Sequence, residues 1–485
     1  MPSGFAQRRR IDVRLVAALA LVAAAVAIVL VIVLGGETAD PFAYSPARRA
    51  AFEQRAADGE SHLLYADSPG GAIATARRVA TLERPIQAAA AAAHVDPGVI
   101  EGMIFLESGG RPDAIAGGDP HGAAGVSQIL PSTATSLLGL HVDLRASTSL
   151  TKQIAAAQHA HDNAAARQLE RRRRAADERF DPNKALAATG RYLTFAEGKL
   201  DGTDLAVESY HMGVGNLADV IRAYTGTHDL ADKLVRDRKL TYAQLYFDST
   251  PLHHAAAYRL LAAFGDDSDT YYWRVLAARD IMRLYRQNPR ELGRLNVLQT
   301  TYGSGEAVLH PPATSVFNDT ASLAAARRKG ALKAIPRGRY FALDPSLPAQ
   351  ARQLGRDPSL YTTLRPEALG VLYYLADRVH AISRQKSPLL VVAAARDVSY
   401  EDALAVRNVA APSGYSLYTT GFSFDVKRRY ASHAQAEAFQ AMLDRLQALD
   451  AIAWQREADV IHITVSDRAH GLIPLVNGAA LGNTS

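Results

Sequence analysis

The chain has 485 residues, no cysteine and a formal net charge of +5. The absence of cysteine excludes a disulfide framework and any cysteine-ligated metal centre. The length suits two or three domains, and the mildly basic balance suits an anionic polymer as partner, although an Arg- and Ala-rich composition alone would also produce it.

An apolar, uncharged run at residues 15–34 has the length of one membrane-spanning helix. Arginines precede the run and acidic residues follow it, so residues 1–14 are predicted to be a cytoplasmic basic segment. The rest of the chain would then lie on the extracytoplasmic side. A cleaved signal peptide with a secreted product is the alternative, but the run is long for one and no clear small-x-small cleavage site follows. We predict an uncleaved, single-pass anchor in the cell membrane.

Residues 35–85, which are small, charged and Ala-rich, are interpreted as a stalk plus an entry helix.

Glu107 ends a short predicted helix in which Asp96 suits the N-cap position and Pro97 the first helical position. The helical spacing continues through Ile100, Met103, Ile104 and Glu107. Burial on this apolar face and the negative end of the helix dipole both disfavour the carboxylate, which predicts a raised pKa and a general acid. The alternative is an ordinary surface glutamate near a helix end.

Four segments in and beyond this helix contain ordered motifs, namely ESGG (107–110), GAAGVSQILPSTA (122–134), AATGRYL (187–193) and AVESYHMGVGN (206–216). Together they resemble the soluble lytic transglycosylase family over roughly residues 86–300. Gly-Val-Ser-Gln at 125–128 stands where the family has Gly-Leu-Met-Gln. Tyr210 matches the tyrosine of the family's Ala-Tyr-Asn element, and His211 replaces its asparagine. The segments 240–254 and 270–285 also resemble the family's last helices.

The resemblance implies a mainly α, lysozyme-like catalytic domain that acts on peptidoglycan glycan strands without a cofactor. In the family, one acid protonates the oxygen between N-acetylmuramic acid and N-acetylglucosamine, and the 2-acetamido group stabilises the developing cation. The resulting carboxylate removes the proton of the muramyl C6 hydroxyl, which gives a 1,6-anhydro product. The resemblance assigns both proton transfers to Glu107. It implies substrate contacts at Ser108, Gly109, Ser127, Gln128, Tyr210 and His211, with Tyr210 orienting the acid or the substrate.

Two segments separate or interrupt the motifs. The Arg run at 171–174 is interpreted as part of a solvated helix inserted between catalytic motifs, and nucleic-acid binding is not expected outside the cell. Residues 301–365 contain several prolines and are interpreted as a linker region.

Residues 366–485 predict a smaller α+β domain. Its predicted elements are helices at 365–383 and 434–449 and strands at 389–396, 419–426 and 459–465. The alternation in the last two strands predicts that Asp425 and His462 share one polar face of a sheet.

The same region resembles the M15-like, zinc-dependent D-Ala-D-Ala carboxypeptidases, whose strand motif is Ser-x-His-x-x-Gly-x-Ala-x-Asp. The chain has Ser416, Tyr418, Gly421, Ser423 and Asp425 at the corresponding positions. Tyr418 therefore replaces a zinc-binding histidine, while Asp425 and His462 match ligands and Asp459 stands at the place of the general base. Because a catalytic zinc needs three protein ligands, the resemblance implies a degenerate domain that binds stem peptides without zinc. His433 is an additional candidate ligand, and an active zinc peptidase is the alternative.

The leading hypothesis is thus a membrane-anchored lytic transglycosylase whose partners are glycan strands and stem peptides. A hydrolytic muramidase and a non-catalytic, wall-binding scaffold are the alternatives. The sequence identifies no protein partner.

Overall fold

The computed structural model describes residues 40–265, 267–301, 303–311, 314–407 and 414–477. It is mainly helical with a small sheet part, in agreement with the predicted combination of a larger α unit and a smaller α+β unit. The described residues contain no helix that is both long and apolar enough to span a bilayer. The anchor predicted at 15–34 lies outside the described residues.

The first unit contains fifteen helices among the described residues. They are α1 (Arg49–Asp67), α2 (Ala72–Ala80), α3 (Glu83–Ala93), α4 (Pro97–Ser108), α5 (Pro131–Ser136), α6 (Leu144–His159), α7 (Asn163–Ala176), α8 (Pro182–Leu200), α9 (Thr203–Met212), α10 (Val214–Thr225), α11 (Ala231–Arg238), α12 (Tyr242–Asp248), α13 (Ala255–Ala262), α14 (Tyr271–Gln287) and α15 (Pro289–Thr301).

Helix α4 is largely buried and packs against α14, α3 and α2. A Cβ atom added at Gly102 would lie 2.5 Å from the carbonyl oxygen of Val275, so only glycine permits this close approach of α4 to α14. At one end of the interface, Arg286 of α14 donates to Glu101 of α4 over 2.6 Å. The opposite end brings the last turn of α4 to the first turn of α14.

The segment predicted as a stalk is folded in its described part, which begins at residue 40. Helix α1 buries Phe52, Ala56, Leu64 and Tyr65, packs on α14 and also contacts the second unit. Two of its five buried side chains are alanines, and a Cβ atom added at Gly59 would lie 2.8 Å from the carbonyl oxygen of Gln447. The composition therefore conceals an interface that forms by close backbone approach. This segment is part of the core and not an extended spacer.

The second unit contains a five-stranded sheet with strand order β2-β4-β5-β7-β6. Strands β2 and β4 are parallel and the other neighbours are antiparallel. The strands of this unit are β1 (Lys333–Ala334), β2 (Phe341–Leu343), β3 (Thr363–Leu364), β4 (Leu389–Ala393), β5 (Ser423–Lys427), β6 (Ile452–Arg456) and β7 (Val460–Val465), where β1 and β3 form a separate antiparallel pair.

Eight helices accompany the strands among the described residues. They are α16 (Gly305–Leu309), α17 (Thr320–Arg328), α18 (Ser346–Gln353), α19 (Pro358–Tyr361), α20 (Pro366–Ser383), α21 (Val398–Arg407), α22 (His433–Ala448) and α23 (Ile473–Val476). Helices α20 and α22 pack on each other and contribute to the apolar core of the sheet, whereas α16 contacts β6 and β7.

The predicted helices at 365–383 and 434–449 are confirmed within one residue at each end. The last strand is confirmed, and the strand at 389–396 ends earlier, at Ala393. The predicted strand at 419–426 begins only at Ser423, because a 3₁₀ turn precedes it. Strands β2 and β6 were not predicted.

The region predicted as a linker, 301–365, is folded in most of its described part. It contributes α16 to α19 and β1 to β3, and a small apolar cluster includes Phe317, Leu323, Leu332 and Tyr361. Pro345, Pro358 and Pro348 lie beside, at the start of and within short helices, respectively, and do not prevent these helices from forming. The second unit therefore begins well before residue 366.

The Arg run lies on α7 as expected, but its members differ in environment. Arg171, Arg172 and Arg174 are exposed, whereas Arg173 is buried with its guanidinium 3.8 Å from the ring centroid of Phe180. One arginine of the run therefore anchors α7 to the unit.

Candidate active site

Glu107 lies in the last turn of α4, whose predicted beginning is confirmed. The Asp96 side chain accepts from the backbone N–H of Gly98 over 2.9 Å, and Pro97 is the first helical residue. The helix ends at Gly109, whose φ of 60° is the left-handed conformation typical of a C-cap glycine. Both helix ends are thus fixed by local chemistry, which sets the position of the carboxyl.

The Glu107 carboxyl is half-buried and accepts a hydrogen bond of 2.7 Å from the Tyr271 hydroxyl. Burial raises the pKa of Glu107 to about 7, although the bond from Tyr271 and the charge of Arg274 act in the opposite direction. A group with this pKa exists in both protonation states near neutrality. It can therefore donate a proton and later accept one.

Tyr271 begins α14 and is nearly fully buried. Its ring stacks on Tyr210 with 6.4 Å between centroids and on His211 with 5.3 Å. Burial, reinforced by the Glu107 charge, raises the pKa of Tyr271, so its phenol remains a hydrogen-bond donor. Tyr271 was not among the predicted site residues. The signals available in the sequence were its place in the segment 270–285, which resembles one of the family's last helices, and its position at the start of an apolar, helical pattern.

Tyr210 contacts the hydrogen-bond partner of Glu107 and the loop that contains Ser127. Its hydroxyl donates to the carbonyl oxygen of Ser127 over 2.7 Å, and its ring packs between those of Tyr192 and Tyr271. The predicted orienting effect on Glu107 would therefore have to pass through the Tyr271 ring and through this loop.

His211 lies beside this aromatic group and is partly exposed. Its Nδ1 is 2.9 Å from the Ser268 hydroxyl oxygen, and its Nε2 is 3.9 Å from an Asp267 carboxylate oxygen. The replacement of the family's asparagine therefore places an imidazole within the site and against Tyr271.

Ser108 and Gly109 have structural contacts. The Ser108 hydroxyl is buried and donates to the carbonyl oxygen of Val126 over 2.7 Å. The carbonyl oxygen of Gly109 accepts from Arg78 over 2.7 Å. Within the chain, these two residues connect α4 to the loop at 122–129 and to α2; their predicted substrate contacts stay a prediction.

Ser127 and Gln128 shape the same loop. Ser127 is buried, and its hydroxyl accepts from Thr189 over 2.8 Å. Gln128 adopts a φ of 47° and donates to the Gly125 carbonyl oxygen over 2.7 Å. Only Gln128 of this pair is partly exposed. The structure thus brings Ser127, Gln128, Tyr210 and His211 into one neighbourhood around Glu107 and Tyr271.

A buried ion pair holds the loop from behind. Arg179 and Asp177 are fully buried and 2.7 Å apart. The Arg179 guanidinium also donates to the carbonyl oxygens of Pro120, Gly122 and Ile129 over 2.8–3.1 Å. One cation therefore fixes three points of the loop backbone.

The second unit contains a separate polar cluster on the sheet. Strands β5 and β7 pair Asp425 with His462, which confirms that they share a face. The Tyr418 hydroxyl donates to Asp425 over 2.7 Å, and His462 Nδ1 lies 2.8 Å from the same carboxylate and 3.0 Å from the Tyr418 oxygen. Asp459 and His433 are exposed and lie outside these contacts.

Glu306 of α16 completes the cluster, 3.7 Å from His462 Nε2. Burial raises the pKa of Glu306 to about 7. Burial alone would lower the pKa of His462, but the hydrogen bond to Asp425 and the charge of Glu306 outweigh it and raise that pKa. Glu306 was not predicted as a site residue because it lies in the region interpreted as a linker.

The residues that resemble zinc ligands do not fit a zinc ion in this arrangement. Burial raises the pKa of Tyr418 well above its usual range, so the phenol remains protonated and is a poor ligand. The three atoms that would face the metal already satisfy one another by hydrogen bonds.

No protein-family model and no curated protein matches the chain. Functional interpretation therefore rests on the motif residues and on the geometry around Glu107.

The bond between Tyr271 and Glu107 predicts a shift of the pH profile in Tyr271→Phe. The lost bond stabilised the carboxylate, so the Glu107 pKa should rise above about 7. A hydrogen bond to a charged group contributes about 1.5–3 kcal/mol, which corresponds to about 1–2 pH units. The alkaline limb of a reaction that requires protonated Glu107 should move upward by that amount. Tyr340→Phe, in the second unit, is the control, and an unchanged profile in Tyr271→Phe would contradict the assignment.

Proposed function

We propose that the chain is a peptidoglycan lytic transglycosylase with a lysozyme-like catalytic domain and Glu107 as its acid and base. The observation that carries the proposal is the placement of the Glu107 carboxyl, which accepts a hydrogen bond of 2.7 Å from Tyr271 beside the loop at 122–129. Burial, which raises the pKa of Glu107, is consistent with this role. The ordered motifs described above support the choice of substrate.

In the proposed reaction, protonated Glu107 donates its proton to the glycosidic oxygen, and the bond to the muramyl C1 breaks. The 2-acetamido group of the substrate stabilises the cation, so a single carboxyl group is sufficient. The Glu107 carboxylate, stabilised by the Tyr271 hydroxyl, then takes the proton of the muramyl C6 hydroxyl. At the same time, the C6 oxygen forms a bond to C1. The proton count of the enzyme is unchanged at the end.

Mass spectrometry of purified sacculi digested with the full chain tests the proposal. We expect 1,6-anhydromuropeptides. Products dominated by reducing muramyl ends would identify a hydrolytic muramidase, and intact sacculi with retained wall binding would identify a scaffold.

We further propose that the second unit is a degenerate M15-like domain that binds stem peptides without catalytic zinc. Its cleft, with a volume of about 660 Å³, is lined by residues that include Glu306, Arg396, Tyr418 and His462. The full chain should release no D-Ala from stem peptides with or without added zinc, and His462→Ala should not change its zinc content. Chelator-sensitive release of D-Ala that His462→Ala abolishes would establish an active peptidase instead.

The basic segment and apolar run at the start of the chain support a location in the cell membrane with both units on the extracytoplasmic side. Recovery of the chain from the membrane fraction after high-salt washing is the expected result. A soluble product that begins near Asp40 would show cleavage.

A further inference from the structure

The connection between α12 and α13 brings two histidines and an aspartate together, away from the residues discussed above. One ligand atom from each of Asp248, His253 and His254 lies within 4.8 Å of the other two. His253 Nδ1 is 3.1 Å from Asp248 Oδ1, and His254 Nε2 is 3.6 Å from Asp248 Oδ2. Two imidazoles thus converge on one carboxylate.

The neighbours of these side chains orient them. His254 Nδ1 lies 2.8 Å from the Tyr224 carbonyl oxygen, which can only accept, so Nδ1 carries the proton and Nε2 presents its lone pair towards Asp248. The Tyr224 hydroxyl donates to Asp248 Oδ2 over 2.6 Å. In metal centres, ligating histidines and carboxylates have outer partners of this kind, which fix the tautomer and the direction of the lone pair.

The backbone conformation also brings the side chains of His253 and His254 close together. His254 has a φ of 51°, a left-handed conformation that is unfavourable for a residue with a side chain. The turn before it is closed by bonds between Thr250 and His253 of 2.7 and 2.9 Å. Consecutive imidazoles consequently lie 4.1 Å apart between ring centroids, and the His254 ring stacks on Tyr224 at 3.8 Å.

We propose that Asp248, His253 and His254 bind one zinc ion, with water in the remaining coordination positions. Two imidazole nitrogens and one carboxylate oxygen suit zinc, whereas calcium and magnesium prefer oxygen ligands alone. Ligand atoms around one zinc at about 2.0–2.2 Å lie roughly 3–3.5 Å apart. The two His–Asp separations of 3.1 and 3.6 Å are close to this range, and all three ligand atoms lie within 4.8 Å of one another, so binding requires the side chains to close in on the ion. The ion would join the α12–α13 connection to α10 through Tyr224. This inference is independent of the proposed glycan chemistry.

The test uses the full chain, purified without a polyhistidine tag, stripped with a chelator and titrated with zinc chloride in a calorimeter. We expect one zinc per chain at this site and a rise in the melting temperature when zinc is added. His253→Ala should remove this binding event. The His253 side chain is 62 % exposed, so its truncation should leave the apo fold intact by circular dichroism. Tyr224→Phe should keep all three ligands but weaken binding about 10- to 100-fold.

His433→Ala is the matched control, because that exposed histidine also faces one carboxylate, Glu437, at 3.1 Å. Its zinc binding should equal that of the parent chain. The proposal is overturned if the parent chain binds no zinc or if His253→Ala binds zinc as the parent does. It is also overturned if His433→Ala loses as much zinc binding as His253→Ala. Loss of the ion in His462→Ala but not in His253→Ala would assign it to the sheet cluster and would also overturn the proposal.

Discussion

Glu107→Gln is expected to abolish glycan cleavage. The amide keeps the shape of the side chain but can neither donate nor retrieve the proton, and general acid-base assistance contributes about 10²- to 10⁴-fold. Because the proposed mechanism assigns both proton transfers to Glu107, the loss should reach at least the upper part of that range. The measurement is the release of muropeptides from sacculi. Glu83→Gln, an exposed glutamate on α3, is the control and should retain parental activity.

The stability of Glu107→Gln separates a catalytic role from a structural one. The Glu107 pKa is raised from 4.5 to about 7 in the folded chain, so ionisation favours the unfolded state at neutral pH. The variant should therefore be at least as stable as the parent, and its relative gain should grow between pH 4.5 and 7 and level off above that. Parental cleavage by the folded variant would exclude Glu107 as the acid.

Local patterns predicted the parts of the site that local chemistry determines. The capped helix that ends at Glu107 could be read from Asp96, Pro97 and the apolar spacing. The shared sheet face of Asp425 and His462 followed from strand alternation, because side chains two residues apart point to the same side. Their direct pairing depends on the register, which the alternation alone does not determine.

The missed residues depend on contacts between distant segments. Tyr271 reaches Glu107 across 164 residues, and no periodicity at either end indicates which tyrosine will make the bond. Glu306 was missed for a related reason, since a short helix among prolines gains its order from the sheet beneath it. A fragment that starts at residue 366 would lack Glu306 and β1 to β3, so the second unit should be studied in the full chain.

The composition of residues 35–85 led to the incorrect prediction of a stalk, because small side chains form part of the interface of α1. The predicted stalk has few large apolar residues, yet Ala56 and Ala57 of α1 are buried together with Phe52. Alanine permits close helix packing without adding much hydrophobicity. The segment therefore resembles a solvated spacer by composition and forms part of the core by geometry.

Arg179→Ala is expected to lower the free energy of unfolding by roughly 3–5 kcal/mol, because it leaves the Asp177 charge buried without its partner. The variant also leaves three loop carbonyls without their donor, so the loop with Ser127 and Gln128 should lose its position beside Glu107. Chemical denaturation measures the first effect, and kcat/KM on glycan strands measures the second.

Arg171→Ala removes the same charge from the exposed side of α7 and should change stability by about 0.5 kcal/mol or less. The double variant Asp177→Asn/Arg179→Met removes the buried charge and should recover part of the lost stability, since replacing a whole buried ion pair costs less than breaking it. Catalysis should stay impaired in the double variant, because methionine cannot donate to the carbonyl oxygens of Pro120, Gly122 and Ile129. Equal stability of Arg179→Ala and Arg171→Ala would show that the buried pair does not hold the loop.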